Sequence, residues 1–176
     1  YMEGASFSLI VKDVHNGETV FAYDTLRQLT PASVMKTVTT ATALEILGED
    51  YRFPTTLAYD GSIEKGLLKG NLYIKGSGDP SLGSAHFAPY HKRFLQEWIS
   101  ALKKVGIHKI QGAVIADESI FDTEGTSFKW VGEDMGSYYG AGSYGLCVFD
   151  NLYKLGLQTG APGSRPKLKG TEPELS

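Results

Sequence analysis

Ser33-Val34-Met35-Lys36 is the stretch of this sequence best able to do covalent chemistry. A serine hydroxyl attacks a carbonyl only when a base takes its proton, and a lysine serves as that base only when its ammonium form is disfavoured. Three residues apart on a helix, the two side chains share a face and lie within reach of each other. At a first turn, the positive end of the helix dipole disfavours an ammonium and favours a developing oxyanion. Ser33 and Lys36 therefore fit nucleophile and general base in acyl transfer. On spacing alone an ordinary first-turn serine is the readier reading, and the spacing recurs at Ser62–Lys65, Ser100–Lys103 and Ser164–Lys167.

Context separates Ser33 from the others. Leu29-Thr30-Pro31-Ala32-Ser33 reads as a helix start, with Thr30 as N-cap and Pro31 in the first helical position, where its missing N–H costs nothing. The pattern predicts a helix to about Leu47, ended by Gly48. Val34, Val38, Ala41, Thr42 and Glu45 share one stripe, while Met35, Ala43, Leu44, Ile46 and Leu47 spread apolar surface round the rest. Such a helix is expected to be buried in close packing rather than to lie on a surface. Ahead of it, Phe7, Leu9 and Val11 alternate imperfectly with Ser6, Ser8, Ile10 and Lys12, Asn16-Gly17 is a type I′ turn signal, and Val20, Phe21 and Tyr23 supply a return strand.

Beyond Gly48 the character changes. Residues 52–59 and 70–75 read as strands bridged by a turn at Gly61 and a polar 64–69 stretch. The 76–83 loop, Gly-Ser-Gly-Asp-Pro-Ser-Leu-Gly, is dense in turn formers. Residues 91–105 form an amphipathic helix with Phe94, Leu95, Trp98, Ile99, Leu102 and Val105 on its apolar side, closed by Gly106. Residues 110–116 then read as one buried strand. Strand, helix, strand implies α/β layer packing. Residues 123–143 are loop-like, 147–149 and 152–157 regain strand character, and the segment from Thr159 ends without a closing element.

Composition narrows the function classes. Lys and Arg number 17 against 20 Asp and Glu, for a net charge of −3 without a like-charged run, which argues against nucleic acid. Apolar runs are too short to cross a bilayer. Cys147, the single cysteine, excludes an internal disulfide and fits a small buried hydrophobe. His15, His86, His91 and His108 show no ligand spacing, so neither a metal nor another cofactor is expected. Asp79, before a proline in a glycine-rich turn, fits a bond to its own backbone. Tyr138, Tyr139 and Tyr144 fit either a glycan groove or aromatic packing between lobes.

The residues 29–37, Leu-Thr-Pro-Ala-Ser-Val-Met-Lys-Thr, following a hairpin, resemble the active-site start of the penicillin-recognising serine enzymes. The 70–82 stretch, Gly-Asn-Leu-Tyr-Ile-Lys-Gly-Ser-Gly-Asp-Pro-Ser-Leu, is similar to a signature of the class C low-molecular-mass penicillin-binding proteins, which are serine D-alanyl-D-alanine carboxypeptidases and endopeptidases. Residues 106–121, the Tyr138-Tyr139-Gly140-Ala141-Gly142 run and Phe149-Asp150-Asn151 extend the resemblance collinearly. It implies an α+β fold: a partial transpeptidase/β-lactamase-like lobe (hairpin plus active-site helix) over residues 1–50, followed by an inserted α/β domain over residues 51–176, incomplete at its C-terminus.

It also implies that Ser33 attacks the carbonyl between the terminal D-alanines of a peptidoglycan stem peptide or cross-link, with Lys36 as general base. The Ser33 N–H would be one oxyanion-hole donor, β-lactams would acylate the same serine, and the setting would be the periplasm or cell envelope. The family's Ser-x-Asn and Lys-Thr-Gly motifs do not occur after Lys36: Ser143-Tyr144-Gly145 lacks the asparagine, and Lys169-Gly170-Thr171 has the wrong order. The resemblance thus implies an N-terminal fragment with a half-built site and little activity alone. A partial sheet further implies self-association through an exposed edge. The alternative is a non-catalytic module that binds cell-wall polymer or a partner.

Overall fold

The computed structural model describes residues 4–90 and 93–174, and Cα packing divides the chain into two compact units, Tyr1–Tyr51 and Arg52–Ser176.

In the first unit, β1 (Leu9–Lys12) and β2 (Thr19–Tyr23) form an antiparallel hairpin. Leu9 opposes Tyr23 and Val11 opposes Phe21, so these four side chains share one face. The Phe7 ring stacks on Tyr23 at 4.8 Å. The expected two-residue type I′ turn is not formed. That turn needs positive φ at both central residues, and between the strands Gly17 alone has it, at 75°. The Asp13 carboxylate competes by accepting from the His15 and Asn16 amides at 2.8 and 3.4 Å. The connection becomes a longer loop, closed by Gly17 N–H to Asp13 O and Asp13 N–H to Glu18 O, each 2.9 Å.

A 3₁₀ turn, Ala32–Val34, leads into α1 (Met35–Leu47), which ends where the Gly48 amide bonds the Leu44 carbonyl. Thr30 is not the cap: Pro31 precedes the 3₁₀ turn and Val34 precedes α1, and neither end has a side-chain cap. The expected burial of α1 is corrected too, since all of its residues are exposed, Val38 at 60%. Apolar residues on every side give the helix no single stripe to lay against a neighbour. Its threonines bond back along the helix instead, Thr40 Oγ1 to Lys36 O at 2.8 Å and Thr39 Oγ1 to Met35 O at 3.3 Å.

The second unit holds β3 (Thr56–Tyr59), β4 (Ser62–Glu64), β5 (Leu67–Lys69), β6 (Leu72–Lys75), α2 (Arg93–Lys104), β7 (Lys109–Ile110) and β8 (Val114–Asp117). They build two three-stranded sheets, ordered β3-β6-β8 and β4-β5-β7. The β3–β6 and β4–β5 pairs are antiparallel; β5–β7 and β6–β8 are parallel, with α2 as crossover.

Two expectations are revised here. The polar 64–69 stretch is part of a hairpin, because Leu67 and Leu68 alternate faces and Leu68 is fully buried. The single buried strand expected over 110–116 is two strands broken at Gln111-Gly112, one for each sheet, and Val114 and Ile115 are exposed.

Leu68, Leu72, Phe94 and Ile107 form the core, with the Phe94 ring edge-on to Trp98 at 4.9 Å. Helix α2 stops in a Schellman arrangement, Gly106 N–H to Lys103 O and Ile107 N–H to Leu102 O. This drives Ile107 into the core. Its expected start at His91 lies outside the described residues.

Near the C-terminus the expected strand at 147–149 gives way to a tight turn. Phe149, Asp150 and Asn151 are all left-handed, at φ 54°, 58° and 51°, a run that costs about 1–2 kcal/mol per residue. It is held by Phe149 N–H to Leu82 O at 2.8 Å, by the Phe149 ring on Phe94, and by Asn151 Nδ2 to Gly142 O at 2.7 Å. The segment after Thr159 does supply a closing element. Strand β10 (Lys167–Glu172) pairs antiparallel with β9 (Lys154–Gln158).

Candidate active site

The chemistry-bearing pair sits wholly in the first unit. Pro31, with φ −71°, opens the 3₁₀ turn, and the Val34 amide closes it onto the Pro31 carbonyl at 3.0 Å. Ser33 therefore lies in a tighter turn than an α-helix provides, and Lys36 lies in the first turn of α1. The spacing survives this change. Lys36 Nζ donates to Ser33 Oγ at 3.2 Å, with no acidic residue in the first turn of either segment. The Ser33 hydroxyl therefore meets the Lys36 amine at the head of the helix.

One feature of this turn was not visible in the sequence. Ala32, directly before Ser33, has φ 43°, a left-handed conformation that a residue with a Cβ adopts at a cost. Alanine carries no mark of that in sequence.

Two of the three other serines of the same spacing are engaged elsewhere. Ser164 Oγ donates to the Ala161 carbonyl at 2.7 Å, and Ser62 Oγ faces Glu64 at 3.5 Å. Asp79 accepts from the Ser81 amide and hydroxyl at 2.8 and 2.6 Å, the local turn bond expected of it. Its loop is docked by the Gly78 amide on the Gly145 carbonyl at 2.7 Å. Cys147 is half-buried rather than simply apolar: its thiol donates to Tyr144 O at 3.2 Å and accepts from Asn151 Nδ2 at 3.2 Å. Tyr138 and Tyr139 are exposed and edge-to-face at 5.2 Å, with the Tyr139 hydroxyl on Asp134 at 3.0 Å. Tyr144 is half-buried beside Gly125 and Gly142.

A second polar cluster, in the larger unit, was also missed. Asp60 accepts from the Asn71 amide at 2.6 Å, Asn71 Nδ2 at 3.1 Å and the Tyr73 hydroxyl at 2.8 Å. Asn71 Oδ1 in turn accepts from the Ala113 amide at 2.9 Å. The Asn71 amide bond, with the Tyr73 and Asn71 side chains, holds the Asp60 carboxyl below the ordinary carboxylate range, and the same carboxylate raises the Tyr73 phenol. The cluster ties three turns where strands pass between the two sheets. Its signal in the sequence was the pairing of Asp60-Gly61 with Gly70-Asn71, two turn formers facing each other across a hairpin.

Comparison with known proteins places the chain in a family. The D-Ala-D-Ala carboxypeptidase 3 (S13) family matches residues 1–174. A D-alanyl-D-alanine carboxypeptidase of Actinomadura sp. (strain R39) is 33% identical over 147 residues, 84% of this chain and 26% of that protein. The D-alanyl-D-alanine carboxypeptidase DacB of Haemophilus influenzae is 29% identical over 133 residues, 76% of this chain and 26% of that protein. The crystal structure of penicillin binding protein 4 (dacB) from H. influenzae superposes with a TM-score of 0.73 at 28% identity, covering 90% of this chain and 34% of that one. The same protein complexed with a β-lactam gives a TM-score of 0.60 at 26% identity, covering 92% and 32%.

The chain belongs to the D-Ala-D-Ala carboxypeptidase 3 (S13) family, consistent with the class C low-molecular-mass penicillin-binding proteins that its motifs resemble. It spans about a quarter of the length of the curated relatives it matches.

Proposed function

We propose that the protein of which this chain is a part is a serine D-Ala-D-Ala carboxypeptidase or endopeptidase of peptidoglycan, working in the periplasm or cell envelope through an acyl-enzyme on Ser33. The observation that carries this reading is the Lys36 Nζ to Ser33 Oγ hydrogen bond. A purely structural role for the pair would let the two side chains point apart. Lys36, when neutral, takes the Ser33 proton as Oγ attacks the scissile carbonyl. The tetrahedral oxygen is held by the Ser33 N–H, and the D-alanine amine leaves with a returned proton. Water then cleaves the ester and restores the hydroxyl. A β-lactam enters by the same attack, its opened ring amine remaining tethered.

In this reading residues 1–50 are the first part of a transpeptidase-like domain and residues 51–176 belong to an insertion. The second and third motifs lie outside this chain, as its coverage of the relatives and the lack of Ser-x-Asn and Lys-Thr-Gly after Lys36 support. The chain alone then has little activity, and its exposed sheet edges favour self-association. The test is release of D-alanine from a pentapeptide by the full-length protein and by its Ser33→Ala variant. Activity lost on substitution supports the reading; activity retained refutes it.

A further inference from the structure

The hairpin turn that precedes the Ser33 helix holds an asparagine followed by glycine, and its surroundings differ from those of the other two asparagines in the chain. At Asn71 both amide atoms are occupied by other turns, Oδ1 by the Ala113 N–H and Nδ2 by Asp60, and the following amide, Leu72 N–H, is bonded to Ala113 O at 2.9 Å. At Asn151 the side-chain amide is fixed on Gly142 O and Cys147, and the following amide, Leu152 N–H, bonds Phe149 O at 3.0 Å. Both are followed by leucine, whose branched side chain crowds any approach to its own nitrogen.

Asn16 is exposed and bonded only within its turn. Its Oδ1 accepts from the Glu18 amide at 2.8 Å and its Nδ2 donates to Glu18 Oε2 at 3.2 Å. A side-chain oxygen bonded to the amide two residues on closes a ring round the intervening peptide. That ring keeps the Asn16 side chain folded back on the turn that contains Gly17, and the Glu18 N–H draws electron density from the side-chain carbonyl. Gly17 has no Cβ to obstruct the approach. The opposing bond, Gly17 N–H to Asp13 O at 2.9 Å, belongs to the same exposed turn and opens whenever the turn does.

We propose that Asn16 is a site of spontaneous deamidation in the folded protein. The Gly17 backbone nitrogen gives up its proton to solvent base and attacks Asn16 Cγ. A C–N bond forms, Nδ2 departs as ammonia, and a five-membered succinimide remains. Water opens the ring at either carbonyl, leaving a carboxylate on a normal or an isoaspartyl backbone, with no oxidant or co-reactant beyond water. The new carboxylate stands between Asp13 and Glu18, and where Nδ2 donated to Glu18 an acceptor faces an acceptor. Like charges so placed repel, so the modification loosens the β1–β2 connection.

The test is incubation of the folded chain in mildly alkaline buffer, followed by peptide mass mapping and an isoaspartyl assay. The same measurement is made on the urea-unfolded chain and on a folded Gly17→Ala variant, with circular dichroism reporting its fold. The expected result is conversion at Asn16 at least ~10-fold faster than at Asn71 or Asn151 in the folded chain, a barrier difference of ~1.4 kcal/mol, with Gly17→Ala slowing it. Asn16 stable in the folded chain but converted in urea would overturn the proposal by showing that the turn protects it. Comparable rates at all three asparagines would overturn it as well.

Discussion

Lys36 Nζ and Ser33 Oγ stand 3.2 Å apart across the junction of a 3₁₀ turn and an α-helix. The lysine reaches back from the first turn of α1 to an exposed serine that precedes it. Proton transfer along this bond needs an amine that can be neutral. Lys36→Arg keeps the positive charge but presents a guanidinium that does not deprotonate. Both Lys36→Arg and Lys36→Ala are expected to slow acylation of the full-length protein by ~10²–10⁴-fold, read as the rate of labelling by a fluorescent penicillin. Near-normal labelling of the arginine variant would remove Lys36 from the role of base.

The backbone at Ala32 makes a separate prediction. Its left-handed φ of 43° is tolerated by alanine at a cost of about 1–2 kcal/mol and is far worse for a β-branched residue. Ala32→Gly should preserve labelling and stability. Ala32→Val should lower both, measured by urea unfolding beside the labelling assay. A valine variant that behaves as the parent would show that the turn does not need this conformation.

The candidate pair was marked in the sequence by a serine–lysine spacing at a proline-led helix start, and the first hairpin, α1 and α2 by strong local patterns, whereas β4, β5, the break between β7 and β8, and β10 were not. What was not legible depended on partners distant in the chain. The Asn16-Gly17 signal indicated a hairpin but not its loop, since the Asp13 side chain outcompeted the two-residue turn. The apolar wealth of α1 suggested burial, yet that wealth shows only that a helix can be covered, and within this chain it is exposed. The C-terminal hairpin was hidden by glycines and prolines that mark its loop and say nothing of Leu157 opposing Leu168 across it.

Leu68 is fully buried among the strands of the larger unit, whereas Val114 is 58% exposed on β8. Truncation of Leu68 to alanine should cost about 2–5 kcal/mol, and Val114→Ala about 0.5 kcal/mol or less. Chemical unfolding of the chain checks the contrast, and equal effects would place the core elsewhere.

Acid should loosen the three-turn corner at Asp60. Hydrogen bonds lower its folded pKa, so its contribution is present above the ordinary carboxylate range near pH 4 and is lost as pH falls through the folded value. Tyr73 acts in the opposite sense: its raised pKa gives a contribution present below about pH 10 and lost as pH rises through the folded value. Asp60→Ala should flatten the acid limb of an unfolding-midpoint profile. An unchanged acid limb would assign it to other carboxylates.

The exposed edges of the β3-β6-β8 sheet carry unpaired backbone groups on β3 and β8. Size-exclusion chromatography of this chain should show concentration-dependent association, and a clean monomer at high concentration would count against edge pairing.

The most direct test is the intact mass of the full-length protein after incubation with a penicillin, beside its Ser33→Ala variant and this chain alone. One covalent adduct, absent from Ser33→Ala and absent from the isolated chain, is the predicted result. A full-length protein that stays unmodified would contradict the catalytic reading at its centre and leave a module that binds without reacting.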